Sequence, residues 1–580
     1  MPSFTTRPVI MGTRGVVAAG HYLATAAGMR MLHQGGNAID AGVAAGLCLA
    51  VLEPHYNGIG GEVPILIYSA ERRKAFAISG QGTAPRRATI EWFREQGIDL
   101  IPGDGFLPAT VPAAFDAWIT ALREFGTMSL AEVLTPAIEL AEDGFPIFAA
   151  LRDTLLAHAK KFRTQWPTSA EAFLNGGIPK VGQVYRQPQW ASTFRKVLQA
   201  EKDAAHRGRE AGLDAARKVF YKGGIAEQIA RFLETTEVVD ATGKPHRAFL
   251  DYDDLAGYCG KIEEPTRVEC RGIEVCKCGP WTQGPVFLQQ LALLEGLDLA
   301  AMGHNSADHI HTAIECAKLA FADREAYYGD PDFDDVPMET LLSKDYAARR
   351  RELVDPAAAS ADLRPGDVGR GPLPYDCTSA KRGESDHNGD TTHLDAIDAV
   401  GNMISATPSG GWLMSSPVVA GLGFPLGTRA QMFFLDPCRP NALQPGKRPR
   451  TTLTPSLALK DGRPFMAFGT PGGDQQDQWT LQFLLNVVEF GMDLQEGVDA
   501  PTFHSSHFPS SFYPRAMHPK RVVLEERIPA EVREELAHRG HDVVTNGPWS
   551  HGRVLGIQIR DGVILGAASP RLWTGYAEGW

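Results

Sequence analysis

Asp390-Thr391-Thr392-His393 follows a polar, glycine-rich approach from Gly383 to Gly389 and opens an apolar run with the texture of a strand. A cut ahead of Thr391 would place a hydroxyl and an α-amine on the same residue. An α-amine titrates near about 7.7–8.0, so at neutral pH it can take the proton from its own side chain. This is the threonine and N-terminal-amine form of nucleophile activation. Thr-Thr at the head of a strand is also ordinary β propensity, so the pair gains meaning only from the groups that accompany it.

Three such groups occur further along. Ser409 follows Thr391 after a strand and a turn centred on Gly401-Asn402, and a two-stranded hairpin with that loop returns residue 409 to residue 391. Gly469-Thr470-Pro471-Gly472-Gly473-Asp474 is a strand-to-helix turn in which Gly472 and Gly473 can aim backbone N–H groups at one spot, as an oxyanion requires. Arg448-Pro449-Arg450-Thr451-Thr452-Leu453-Thr454-Pro455 combines two guanidiniums with several hydroxyls, a set that can fix a carboxylate by forked hydrogen bonds. Taken singly, each has a plain reading: a turn hydroxyl, a Gly-Gly turn and a solvated loop.

The elements that must position these groups are legible in outline. Residues 15–52 read as two apolar helices broken by Gly35-Gly36. Asn37 caps the second, which runs from Ala38 to about Leu52 and stops before Pro54. Val63 to Ile78 alternates like strands around a turn. Ser129-Leu130-Ala131-Glu132 is a capping box that starts a helix to about Glu142. Residues 150–250 are helical in texture and residues 262–278 strand-like. Phe287 to Leu297 and Ala307 to Tyr328 read as helices, the second with His309 and His311 as packing residues rather than metal ligands. Residues 355–390, rich in Pro, Gly, Ser and Asp, read as a mobile linker. Strands are expected at Thr391–Ile397, Met403–Thr407, Ser456–Leu459, Pro464–Phe468, Val522–Glu525 and Val554–Gly566.

Composition narrows the classes. A net charge of −12 argues against nucleic acid and anionic membrane as partners. The longest apolar run, Ala41 to Leu52, is too short to span a bilayer, and no secretory leader is visible, so a cytoplasmic protein is expected. Eight scattered cysteines are no disulfide framework, and Cys276 and Cys278 read as alternating strand positions rather than a zinc site.

Together these features resemble the γ-glutamyltranspeptidase family of N-terminal-nucleophile hydrolases. Leu32-His33-Gln34-Gly35-Gly36-Asn37-Ala38-Ile39-Asp40-Ala41, Phe125-Gly126-Thr127-Met128-Ser129-Leu130, Ala141-Glu142-Asp143-Gly144-Phe145, Ala320-Phe321-Ala322-Asp323-Arg324 with Gly329-Asp330-Pro331, Thr391-Thr392-His393 and Pro445-Gly446-Lys447-Arg448-Pro449-Arg450 carry the likeness over nearly the whole chain. The resemblance implies an α+β fold, a four-layer αββα sandwich. It also implies self-cleavage between Asp390 and Thr391 into a large subunit, 1–390, and a small subunit, 391–580, that share one domain. By position, Thr391 matches the nucleophile, Ser409 a threonine that hydrogen-bonds it, Gly472 and Gly473 the oxyanion hole, and Thr451 and Thr452 a serine pair that contacts the substrate carboxylate. No metal or organic cofactor is implied, and a homo-oligomer of cleaved heterodimers stays open.

The chain also departs from the family pattern. The arginine expected after Ala84-Pro85-Arg86-Arg87-Ala88-Thr89 is Ile90, and the aspartate expected after Gln431-Met432 is replaced by Phe433-Phe434. An asparagine expected after Ser409 is lost within Gly410-Gly411-Trp412. Both charged anchors of an amino-acid head group are therefore missing, and a buried amine beside Phe434 would lack a partner. Asn57 to Pro64, Gly80 to Pro85 and Gly472 to Trp479 resemble the oxamate amidohydrolase branch instead. The expected substrate is a small acid amide such as oxamate, with ammonia released through an acyl-enzyme. Arg86, Arg87, Arg448 or Arg450 is expected to hold its carboxylate. Glu62, where the family has a glycine, has no assigned role. A γ-glutamyl hydrolase or transpeptidase and an uncleaved binding protein are the alternatives.

Overall fold

The computed structural model describes residues 4–371, 373–376, 391–571 and 573–580. Two seven-stranded antiparallel sheets form its centre. The first runs in the order Ile10–Gly12, Val563–Ala568, Leu555–Arg560, Arg463–Gly469, Ser456–Lys460, Ile273–Lys277 and Thr266–Cys270. The second runs Tyr576–Gly579, Gly15–Ala19, Leu394–Asp398, Met403–Ala406, Ile65–Ser69, Lys74–Ser79 and Lys261–Glu263. Each sheet draws strands from both sides of residue 390, so 1–390 and 391–580 build one domain together.

Side-chain alternation along each strand sorts residues between two layers. Val16, Ala18, Ile397 and Met403 meet Cys276, Leu457, Ala467 and Ile557 between the sheets. Val17, Ala19, Leu394, Ala396 and Ile404 face the other way, against helices Tyr22–His33, Ala38–Leu52 and Ala114–Phe125. The outer face of the first sheet packs Val275, Ala458, Met466 and Phe468 on helices Gly284–Glu295, Ala307–Tyr327 and Gln476–Val488. The result is the expected αββα sandwich. Cys276 and Cys278 are buried between the sheets as packing residues.

Helix Ala38–Leu52 starts where its cap dictates. The Asn37 side chain accepts from the Ile39 and Asp40 N–H groups, and Asp40 accepts from the Asn37 N–H in return. All of its residues are buried, which suits its Ala- and Gly-rich composition.

Two expectations are corrected. Gly15–Ala19 is a strand between Tyr576–Gly579 and Leu394–Asp398, and the first helix begins only at Tyr22. The segment 355–376, read as mobile linker, packs where it is described. Ala359 and Leu363 are buried, Gly366 N–H donates to Asp323, and the Tyr327 hydroxyl donates to Gly366 C=O. Residues 377–390, with Asp390 and the glycine-rich approach, lie outside the described residues. Among the described residues no helix is long and apolar enough to cross a membrane.

Candidate active site

Leu394–Asp398 and Met403–Ala406 form the hairpin that carries the site. Their register pairs Leu394 with Ala406 and Asp395 with Ser405, and it continues outward to an isolated bridge between Thr391 and Ser409. Alternation then sends 391, 393 and 395 to the inter-sheet face, opposite 409, 407 and 405. The outcome is a buried polar ladder. The Thr391 hydroxyl donates to Ser409 Oγ at 3.1 Å, His393 Nδ1 lies 3.0 Å from Thr407 Oγ1, and His393 Nε2 lies 3.0 Å from Asp395 Oδ2. Burial pushes the Asp395 carboxyl up, against the pull of His393. The ladder touches the first sheet at Gly469, where a Cβ would meet His393 Cε1 at 2.2 Å.

Past Gly469, the chain turns through Gly472 and Gly473 into helix Gln476–Val488. Both glycines have positive φ, +134° and +57°. They line a cavity of about 810 Å³ together with Met414, His504, Phe512 and His518. Thr391 is buried and is not part of that lining. Thr451 is held beside the same turn: Gln283 N–H donates to Thr451 C=O, while the Gln283 side chain donates to Asp474 C=O. The Thr452 hydroxyl is buried without a protein partner among the described residues. The threonine loop and the glycine turn are thus joined through Gln283, and the open end of the hairpin reaches the first sheet at Gly469.

The gamma-glutamyltranspeptidase family model matches residues 24–578. The chain belongs to this family. It is 31% identical over 571 residues to the glutathione hydrolase-like YwrD proenzyme of Bacillus subtilis (strain 168), covering 97% of this chain and 98% of that one. It is 34% identical over 570 residues to the acylase ACY 1 proenzyme of Pseudomonas sp. (strain SE83), covering 96% and 92%. Among solved structures, LmbA2991HD matches with a TM-score of 0.95 at 46% identity over the full length of both chains. A cephalosporin acylase from Bacillus halodurans matches with a TM-score of 0.84 at 30% identity, covering 100% and 98%.

Within this family frame the four arginines proposed as carboxylate clamps have other partners. Arg448 is buried and donates to Asp330 at 2.6 Å, Glu263 at 2.8 Å and Ser79 at 2.9 Å. Arg450 is buried and donates to Glu325 at 2.7 Å and to Arg324 C=O at 2.9 Å. Burial pushes the Glu325 carboxyl up, but Arg450 and Arg324 outweigh it and hold it below its usual value. Arg86 pairs with Asp251, Asp253 and Asp254, and Arg87 donates to Phe249 C=O. Arg448 and Arg450, expected to hold the substrate carboxylate, are thus each engaged with carboxylates of the chain itself. Removing one partner of a buried ion pair costs about 3–5 kcal/mol. Arg450→Ala is accordingly expected to lower stability by about that amount in chemical denaturation, while KM of the folded protein stays put. A KM that rises with stability unchanged would restore the clamp.

Two histidines resolve in different ways. His309 Nδ1 accepts from Asn305 N–H and serves packing. His311, Glu315 and His541 stand close enough to surround an ion. Glu315 already accepts from Lys318 Nζ at 2.5 Å and Arg364 at 3.4 Å, so fixed cations fill that role.

Glu62 and Arg429 are what sequence reasoning missed. Glu62 bridges to Ser409 through its backbone. Its carboxylate accepts from Arg429 Nε, and Arg429 Nη2 donates to Ser409 Oγ at 2.5 Å. Burial pushes the Glu62 carboxyl up, with Arg429 opposing. The signal was present as a buried-position acid in Gly60-Gly61-Glu62-Val63, but its partner lies 367 residues away.

Proposed function

We propose that this chain is a self-processing amidohydrolase. Cleavage between Asp390 and Thr391 frees the Thr391 amine, which then takes the proton from Thr391 Oγ1 as that oxygen attacks a short acid amide such as oxamate. The amine returns the proton to the amide nitrogen, which leaves as ammonia, and water hydrolyses the acyl-threonine ester. The Gly472 and Gly473 turn accepts the developing oxyanion. The observation that carries this reading is the Thr391 hydroxyl hydrogen-bonded to Ser409 at the open end of the hairpin, on the face toward the other sheet. Relatives named as proenzymes support the processing step.

The γ-glutamyl alternative is disfavoured by the surroundings of Phe433-Phe434, which replace the expected α-amine anchor after Gln431-Met432. The guanidiniums of Arg439 and Arg515 lie 4.1 Å and 4.0 Å from the Phe434 ring centre. Cations there repel an ammonium rather than hold it.

A denaturing gel with N-terminal sequencing, followed by an ammonia-release screen over oxamate, glutamine and simple amides, tests the reading. Two fragments, the smaller beginning Thr-Thr-His, are expected, with oxamate hydrolysed and glutathione or a γ-glutamyl anilide turned over at least about 100-fold more slowly. A single full-length band after long incubation sinks the enzyme reading, and faster γ-glutamyl turnover sinks the substrate assignment.

A further inference from the structure

One cation near the nucleophile is not fully used. Arg429 is 1% exposed and lies in the turn Arg429–Met432. Nε donates to Glu62 and Nη2 to Ser409 Oγ, the oxygen that also accepts from Thr391. Nη1 is buried and has no protein partner among the described residues. The guanidinium lies over the Trp412 ring, 5.1 Å from its centre, and the Phe512 ring, at 5.5 Å. Phe512 in turn lines the cavity that Gly472 and Gly473 open onto.

The surroundings are shaped for this pair. Gly410 has φ +68°, and a Cβ there would meet both Glu62 carboxylate oxygens at 2.5 Å. A Cβ on Gly427 would meet Glu62 Oε2 at 3.2 Å. A buried donor left open is costly, more so when charged, so a ligand that fills it recovers that cost.

We propose that Arg429 is the substrate-carboxylate clamp of this enzyme, with Nη1 donating to the acid group of the amide. The inference rests on the amide-hydrolase reading of Thr391 and adds to it a substrate dimension. The Ser409 hydroxyl bridges the guanidinium and the nucleophile. This proximity favours acids whose carboxylate sits next to, or one carbon from, the carbonyl under attack over acids in which several methylenes separate the two, as in a γ-glutamyl group. Glu62 fixes the orientation of the guanidinium and offsets part of its charge, which limits how tightly the anionic product is held.

Calorimetric binding of oxalate to the processed protein, with the kcat/KM ratio for oxamate over uncharged oxamide, tests the clamp. Arg429→Gln and Arg429→Lys should each weaken oxalate at least about tenfold and lower the ratio by a similar factor, since a charge-assisted hydrogen bond is lost. Glu62→Gln keeps an acceptor for Nε but removes a negative charge, so oxalate should bind about threefold tighter or better. Glutarate should bind more weakly than oxalate to the parent protein. Unchanged oxalate affinity in either folded Arg429 variant, an unchanged ratio, or weaker oxalate binding in Glu62→Gln overturns the clamp even where oxamate is hydrolysed. If no amide is hydrolysed but oxalate binding depends on Arg429, the clamp stands and the amide reading falls.

Discussion

Thr391→Ala is expected to leave one band of 62.9 kDa on a denaturing gel and to reduce amide turnover by about 10⁴-fold or more. Both losses have one cause. In the precursor, Thr391 Oγ1 is the atom that must attack the preceding carbonyl. In the cleaved chain it is the atom that must attack the amide. Alanine retains the strand and the backbone bridge to Ser409, so the fold should persist with a melting temperature close to the parent's. Thr391→Ser keeps the hydroxyl and should restore two fragments with slower turnover. Fragments 1–390 and 391–580 appearing in Thr391→Ala would move the cleavage chemistry to another residue. Full turnover without cleavage would remove the N-terminal amine from the mechanism.

Local chemistry was legible in the sequence, whereas long-range pairing was not. The link from Thr391 to Ser409 follows from one hairpin and the two-residue repeat of a strand. Helix Ala38–Leu52 follows from Asn37 and Asp40, which satisfy each other's backbone within one turn. Gly15–Ala19 misleads because it is buried on both faces, in the inter-sheet core and under the helices, so its apolar run shows no alternation. The partners of Arg448 and Arg450 were illegible for a different reason. A guanidinium in a polar loop looks available until its partners are known, and Asp330 and Glu325 lie more than a hundred positions away. The His393, Asp395, Ser405 and Thr407 ladder was implicit in the alternation of the two strands. It became visible only once the register brought the hydroxyls opposite the imidazole and carboxylate.

Gly472→Ala is expected to lower kcat by about 100- to 1000-fold, the usual cost of losing one oxyanion donor, with a smaller change in KM. The backbone there has φ +134°, which an L side chain rarely adopts, and an added Cβ would meet Trp479 Cζ3 at 2.2 Å. Trp479 belongs to helix Gln476–Val488 and packs in the core of the outer layer, so the turn rather than the helix must shift. A shift of the turn moves its N–H groups off the place where negative charge develops. Gly473→Ala is the graded control. Its φ of +57° is a left-handed conformation open to alanine at modest cost, and its Cβ would lie 3.2 Å from a Phe512 ring carbon. Steady-state kinetics on the processed proteins should therefore rank parent above Gly473→Ala above Gly472→Ala in kcat. Equal kcat in all three would place oxyanion stabilisation elsewhere. A loss expressed only in KM would make the turn a binding wall rather than a transition-state contact.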